Sequence, residues 1–287
     1  MQAFRNILFP ADMSDSCTAA APYVEALAKK FQSDVTLLHV LEMPPTYFTD
    51  WYGYMALADV GSIRDARQNE FQTYLRDRFQ GLNVERVMFE GDPAQAVLDY
   101  ANTHSNDLIM MPTHGYGVFR RLLLGSVTAK VLHQATCPVW TSVHLEEAPP
   151  PPETIDKIMC AVDLTKSSAA TLHFAAQVAQ EFQAKLWLVH AIPGADTGPE
   201  KYFDADLQMF LEQEARKTIA QMQAAEGIAA PVCLGAGDVA RVVEQAATHH
   251  EVNLLIVGRG HATRMLGPLR TNVHNIIRHS PCPVISV

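Results

Sequence analysis

LIMMPTHGYGVFRRLLLGSVTAKVLHQATCPV, residues Leu108–Val139, holds in order a four-residue apolar run, a glycine-bearing loop, a helical stretch and the entry to a further strand. Leu108–Met111 carries no polar residue, the pattern of a strand covered on both faces. Gly115 and Gly117 let the loop pass close to a ligand and take backbone angles closed to other residues. A helix opening at Gly125-Ser126 has first-turn amides without backbone partners, and its dipole places partial positive charge there. Ser126 suits a helix cap and also suits an anion. The unit therefore reads either as an anion site made by geometry or as a tight turn before a capped helix, and the loop alone does not separate the two.

Working outward, the same blocks occur twice. Phe4–Leu41 lies without a gap over Ile155–Ile192, matching Asp12 with Asp163, Ser16 with Ser167, Phe31 with Phe182 and His39 with His190. Gly91-Asp92 through Met111 then lies over Gly237-Asp238 through Val257, and Cys137-Pro138-Val139 over Cys282-Pro283-Val284. A tandem duplication follows, with domains at 1–143 and 155–287. The 144–154 linker contains four consecutive prolines, which make a stiff, extended spacer.

Each half alternates strand and helix. In the first, Ile7–Phe9 reads as a strand, Ser14–Lys30 as a helix and Val35–Leu41 as a strand. Met43–Gly61 is too rich in proline and aromatics to be regular throughout. Ser62–Phe79 resumes helical spacing, Val84–Phe89 is a strand and Pro93–His104 a helix. This pattern predicts an α/β fold of two repeated, doubly wound parallel sheets. Ligands of such sheets sit beyond the carboxyl ends of the strands, where strand order reverses. Asp12, Val40 and Pro112–Gly115 all fall at such ends.

Composition narrows the function. The 287 residues exceed the size at which one core stops growing, in agreement with two domains. A formal net charge of −9 repels nucleic acid and anionic membrane, so a phosphate site must be made locally. The opening MQAFRNILFP lacks the apolar core of a secretory signal, and no run approaches the roughly 20 apolar residues of a membrane span, so a soluble, cytoplasmic protein is expected. Five cysteines without a C-x-x-C pair indicate reduced thiols. No nucleophile-base-acid set, phosphate-loop lysine or metal cluster is visible.

The paired Asp12 and Asp163, the strand ends His39-Val40 and His190-Ala191, the Gly-Asp turns and the loop-helix-Cys-Pro-Val endings together resemble the universal stress protein family. The likeness covers almost the whole chain apart from the linker and the two middle insertions. It implies an adenine-nucleotide alpha-hydrolase-like (Rossmann-like) fold in each half. It also implies packing of the halves as a pseudo-dimer through their last strands, with a homodimer left open. The family's ATP-binding branch carries G-x2-G-x9-G-S/T. Here Gly115, Gly125 and Ser126 stand as that motif requires, while Pro112 takes the place of the first glycine, stiffening the loop and removing an amide hydrogen.

By resemblance, Asp12 and Val40 belong to the adenosine part of the ligand, with Pro10, Ala11, Met111 and Pro112 beside them. Gly115, Gly125, Ser126, Val127 and Thr128 belong to the phosphates. The cofactor implied is ATP, with magnesium left open, and the role implied is a stress-response sensor; action through protein contacts and slow ATP hydrolysis are the alternatives. In the second half, Arg270 and Thr271 fall opposite Gly125 and Ser126, so a side chain stands where backbone must approach phosphate, and a single competent site is expected. Arg259, Arg264 and Arg270 read as solvated or salt-bridging, with an anion held by their side chains as the alternative. His39 and His190 read as core histidines, Arg120 and Arg121 as exposed or phosphate-facing. The Tyr47, Phe48, Trp51, Tyr52, Tyr54 cluster reads as a lid, an oligomer contact or packing against its own domain.

Overall fold

The computed structural model describes residues 4–42, 53–113, 124–142, 154–165, 167–192, 205–259 and 269–287. By contact the chain groups into two compact units divided after Val139, inside the last strand of the first sequence repeat, and among the described residues each repeat builds one set of five strands and four helices. The first contains β1 (Asn6–Pro10), α1 (Asp15–Phe31), β2 (Asp34–Leu41), α2 (Gly53–Thr73), β3 (Val84–Glu90), α3 (Pro93–Thr103), β4 (Leu108–Met111), α4 (Ser126–Gln134) and β5 (Val139–Thr141). Its strands lie in the order β3-β2-β1-β4-β5, with parallel pairing of β1 to both β2 and β4. The second repeats this plan with β6 (Lys157–Ala161), α5 (Ser168–Phe182), β7 (Lys185–Ile192), α6 (Ala205–Glu226) and β8 (Val232–Ala236). It continues with α7 (Val239–His249), β9 (Leu254–Val257), α8 (Leu269–His279) and β10 (Val284–Ser286). Its order is β8-β7-β6-β9-β10. In each unit the chain moves outward from the central strand in one direction and then returns on its other side, so strand order reverses between β1 and β4 and between β6 and β9.

The strands are apolar because they are covered on both faces. Every residue of β4 and β9 is buried, and Ile7, Leu8 and Phe9 of β1 are fully inaccessible, each such side chain contributing about 1.5–3 kcal/mol. Helix α1 buries Tyr23, Val24, Leu27 and Phe31, the three- and four-residue spacing read from sequence. Helix α2 begins at Gly53, earlier than the Ser62 expected, and ends at Thr73 rather than Phe79. The Met-Ala-Leu-Ala run at 55–58 favours a helix. Its end is set where Leu75 and Phe79 take left-handed backbone angles.

The duplication extends to individual hydrogen bonds. Asp107 accepts from the amides of Arg5 and Asn6 at the foot of β1, and Asn253 does the same for Asp156 and Lys157. Gly91 and Gly237 adopt φ of 130° and 119°, open to glycine and strained for other residues. Next to them, Asp92 and Asp238 cap α3 and α7 by accepting from Gln95 and Arg241. The imidazole of His39 donates from Nδ1 to the Ala11 carbonyl at 2.7 Å, and His190 to that of Val162 at 2.8 Å. These histidines tie the second strand of each unit to the end of the first; among the described residues, no group of three or more His, Cys, Asp or Glu side chains could hold a metal ion. No helix among the described residues is long and apolar enough to cross a membrane.

Candidate functional site

At the strand-order reversal of the first unit lies a cavity of about 330 Å³. Its first wall is the turn after β1: Pro10, Ala11 and Asp12 line it, and Met13 holds this turn in a left-handed conformation at φ 62°, repeated by Leu164 at 60° in the second unit. Asp12 does not cap α1. That helix is capped by Ser14, whose hydroxyl accepts from the amide of Cys17, while Asp12 Oδ1 accepts from the amide of Ser14 at 2.9 Å. The end of β2 supplies Val40 as a second wall.

The third wall is built by β4 and α4. Met111, Pro112, Gly125, Ser126, Val127 and Thr128 line it. Pro112 is buried, and its carbonyl accepts the buried Thr128 hydroxyl at 3.1 Å. Gly125 is the N-cap of α4, in extended backbone at φ −57°, ψ 144°, with no side chain capping the helix. Its own amide donates to the Thr113 carbonyl at 2.9 Å. In two residues that the resemblance assigns to the phosphates, the Gly125 amide and the Thr128 hydroxyl are therefore engaged in holding the loop. The donors left at this end are the amides of the first turn from Ser126 onward and the exposed Ser126 hydroxyl.

The structure thus brings Pro10, Ala11, Asp12, Val40, Met111, Pro112, Gly125, Ser126, Val127 and Thr128 to one cavity. Gly115, Gly117, Arg120, Arg121, Arg264, Tyr47, Phe48, Trp51 and Tyr52 lie outside the described residues, as do the side chains of Tyr54 and Arg270. Sequence reasoning passed over Cys17, Glu42, Pro93 and Val97, which also line the cavity. Pro93 and Val97 stand four apart at the start of α3, a spacing that puts them on one helix face. Cys17 is buried, and burial together with the negative charge of Asp12 pushes its thiol well above the ordinary range.

The second unit has a corresponding cavity of about 190 Å³. Helix α8 begins at Leu269, so Arg270 is already helical where Gly125 is only the cap. Pro112 is matched there by Gly258, where a Cβ would come within 2.6 Å of the Thr171 hydroxyl. In the first unit the position of Thr171 is occupied by the smaller, buried Ala20, which leaves room for the proline. The smaller side chain at residue 20 thus accompanies the proline at residue 112. Asp163 is also held differently from Asp12: its Oδ1 accepts from the Thr165 amide, the Thr165 hydroxyl and the Ser168 hydroxyl at 3.0, 2.7 and 2.5 Å.

Comparison with known proteins agrees with this duplicated architecture. A universal stress protein of Methanocaldococcus jannaschii is 30% identical over 141 residues, which span 47% of this chain and 80% of the relative. One from Synechocystis is 33% identical over 137 residues, spanning 47% and 83%. The crystal structure of a universal stress protein from Archaeoglobus fulgidus superposes with a TM-score of 0.62 over 98% of this chain and 95% of its own, at 20% identity, a likeness of fold. The sequence pattern described as "Universal stress protein family" matches residues 3–142 and, a second time, residues 154–287. With both halves matched and the same sheet built twice, this chain belongs to the universal stress protein family as a tandem of two of its domains.

Proposed function

We propose that the protein binds ATP or a related adenine nucleotide in the cavity of its first unit and acts as a stress-response sensor. The observation that carries this reading is the polarity of that one cavity. At one end stands the Asp12 carboxylate, an acceptor with capacity left for the hydroxyl or amino donors of a nucleoside. At another stands the uncapped first turn of α4, which presents donors and partial positive charge to phosphate. Leu38, Val40, Val97 and Met111 supply apolar wall between them. The volume falls at the lower end of the ~300–1,000 Å³ usual for small-molecule sites. Ligand occupancy favours whichever conformation holds the nucleotide more tightly, and that bias is the signal a sensor passes on.

Titration calorimetry with ATP, ADP and AMP tests the reading. Heat is expected in the order ATP, ADP, AMP, at one site per chain, because each phosphate removed forfeits contacts at α4 while the nucleoside contacts remain. Absence of heat from all three at millimolar nucleotide would refute it. A second reading, action through protein contacts, draws on Leu207, Met209 and Phe210, all exposed near the start of α6. It predicts that Phe210→Glu abolishes the biological response while leaving any nucleotide binding intact.

A further inference from the structure

Five arginines stand on α2, on the turn after it and on the strand β3 that follows: Arg64, Arg67, Arg76, Arg78 and Arg86. Three of them meet carboxylates, Arg64 with Glu90 at 3.1 Å, Arg67 with Glu70 at 2.7 Å and Arg78 with Glu25 at 3.7 Å. Among the described residues, Arg76 and Arg86 meet none.

The fold brings these two together. Helix α2 ends at Thr73, and the turn beyond it is closed by the Arg76 amide, which donates to the Thr73 carbonyl at 3.1 Å. Inside that turn the Tyr74 carbonyl accepts from Arg86 Nη2 at 3.0 Å, and the Tyr74 hydroxyl is hydrogen-bonded to the Thr18 hydroxyl of α1 at 3.0 Å. Arg86 is thus tied to a braced turn, two residues from Arg76. Capping a carbonyl at the end of a helix accounts for one edge of its guanidinium, while Nε is enclosed with no acceptor among the described residues. Burial, and then the positive charge of Arg76, hold Arg86 below the ordinary arginine range.

Two guanidinium groups without a carboxylate, in a chain of net charge −9, concentrate positive charge where an anion relieves their repulsion. Arg86 is half-buried and Arg76 exposed, so one is anchored and the other is accessible from solvent. Their planar sets of N–H donors match the oxygens of an oxyanion. The pair lies away from the cavity: Arg86 pairs with Leu37 three residues before Phe89 pairs with the cavity-lining Val40, about 10 Å along the strand. In the second unit Leu188, which matches Leu37, pairs with Val232, so an apolar residue stands where Arg86 does.

We propose that Arg76 and Arg86 form an anion site in the first unit, separate from the cavity, for a compact oxyanion of the phosphate class, free or carried as a monoester. An anion seated there joins the end of α2 to the edge strand β3 and steadies that side of the unit. The site stands whether or not the cavity binds a nucleotide.

Thermal unfolding of the full chain in phosphate and in chloride at matched ionic strength tests it. The parent should melt higher in phosphate, by about 3–6 °C once phosphate stands about tenfold above its Kd, and the rise should saturate. Arg76→Gln, a change at an exposed residue, should melt no lower than the parent in chloride and lose most of the rise. Arg76→Glu supplies Arg86 with a fixed carboxylate; it should melt above the parent in chloride and gain nothing from phosphate. Gly125→Asp, altered at the cavity, should keep most of the rise. A parent indifferent to phosphate overturns the proposal, as does an Arg76→Glu variant that melts no higher than the parent in chloride. A rise kept in Arg76→Gln also overturns it, and loss of that rise in Gly125→Asp would move the anion to α4. Phenyl phosphate acting as well as phosphate would show a site open to monoesters, and phosphate acting alone would restrict it to the free ion; either result supports the site.

Discussion

Gly125→Asp should make the first unit slightly more stable and nearly blind to ATP. Gly125 is the N-cap of α4 at φ −57°, ψ 144°, without a side-chain cap, and this extended conformation is the one aspartate adopts as a cap. Its amide bond to the Thr113 carbonyl is a backbone contact that the variant retains. The new carboxylate would accept from the second and third amides of the helix, those of Val127 and Thr128, for a gain of a few tenths of a kcal/mol over glycine. The same amides are the ones proposed for phosphate. Taking two charge-assisted contacts from the ligand, at about 1.5 kcal/mol or more each, weakens binding by about a hundredfold, before counting charge repulsion.

Thermal unfolding in the presence of ATP reads out both effects. At nucleotide one hundred times the parent Kd, binding adds about 2.7 kcal/mol, or roughly 5–11 °C for a domain of this size. The variant at the same concentration sits near its own Kd and gains about 0.4 kcal/mol, roughly 1–2 °C. A variant that keeps the full parent shift would refute the assignment of phosphate to this helix. One that unfolds well below the parent without ligand would refute the account of Gly125 as an open cap.

Two further predictions concern the compensations inside each copy. Burial pushes the Asp107 carboxyl up despite the amides of Asn6 and Arg5 that hydrogen-bond to it. A carboxyl whose folded pKa is raised binds its proton more tightly in the fold, so it costs stability above its folded pKa, and that cost vanishes as pH falls below the unfolded value of about 3.9. Asp107→Asn, copying Asn253, should therefore raise the melting temperature at pH 7 and lose that advantage near pH 3; equal gains at both pH values would point to something other than ionisation. Gly258→Ala should cost about 1–3 kcal/mol in chemical denaturation, because the added methyl meets the Thr171 hydroxyl at 2.6 Å. Thr171→Ala, copying Ala20, should relieve most of that cost in the double variant, and additive losses would show that the two positions do not share the space.

The parallel sheets, their duplication and the location of the cavity were legible in the chain because each rests on short-range pattern. Apolar runs such as Leu108–Met111 announce a strand covered on both faces. The gapless match of Phe4–Leu41 to Ile155–Ile192 announces a second copy, and parallel order sends Asp12, Val40 and Pro112 to one edge. The boundaries of α2 were less legible, since proline excludes a helix only where it stands and the helix-forming residues beyond Gly53 were read together with it.

What only the tertiary structure decided is which polar groups remain available at that edge. The Gly125 amide and the Thr128 hydroxyl fall in the motif's helix entry, yet the Thr113 and Pro112 carbonyls accept from them. Asp12 and Asp163 occupy matching places in matching blocks, yet Oδ1 of the second accepts from Thr165 and Ser168, whereas Oδ1 of the first accepts from the Ser14 amide. Periodicity records which face of an element is buried; a hydrogen-bond donor is spent or free according to the distance and angle of a partner, and those are set by how the chain closes around it.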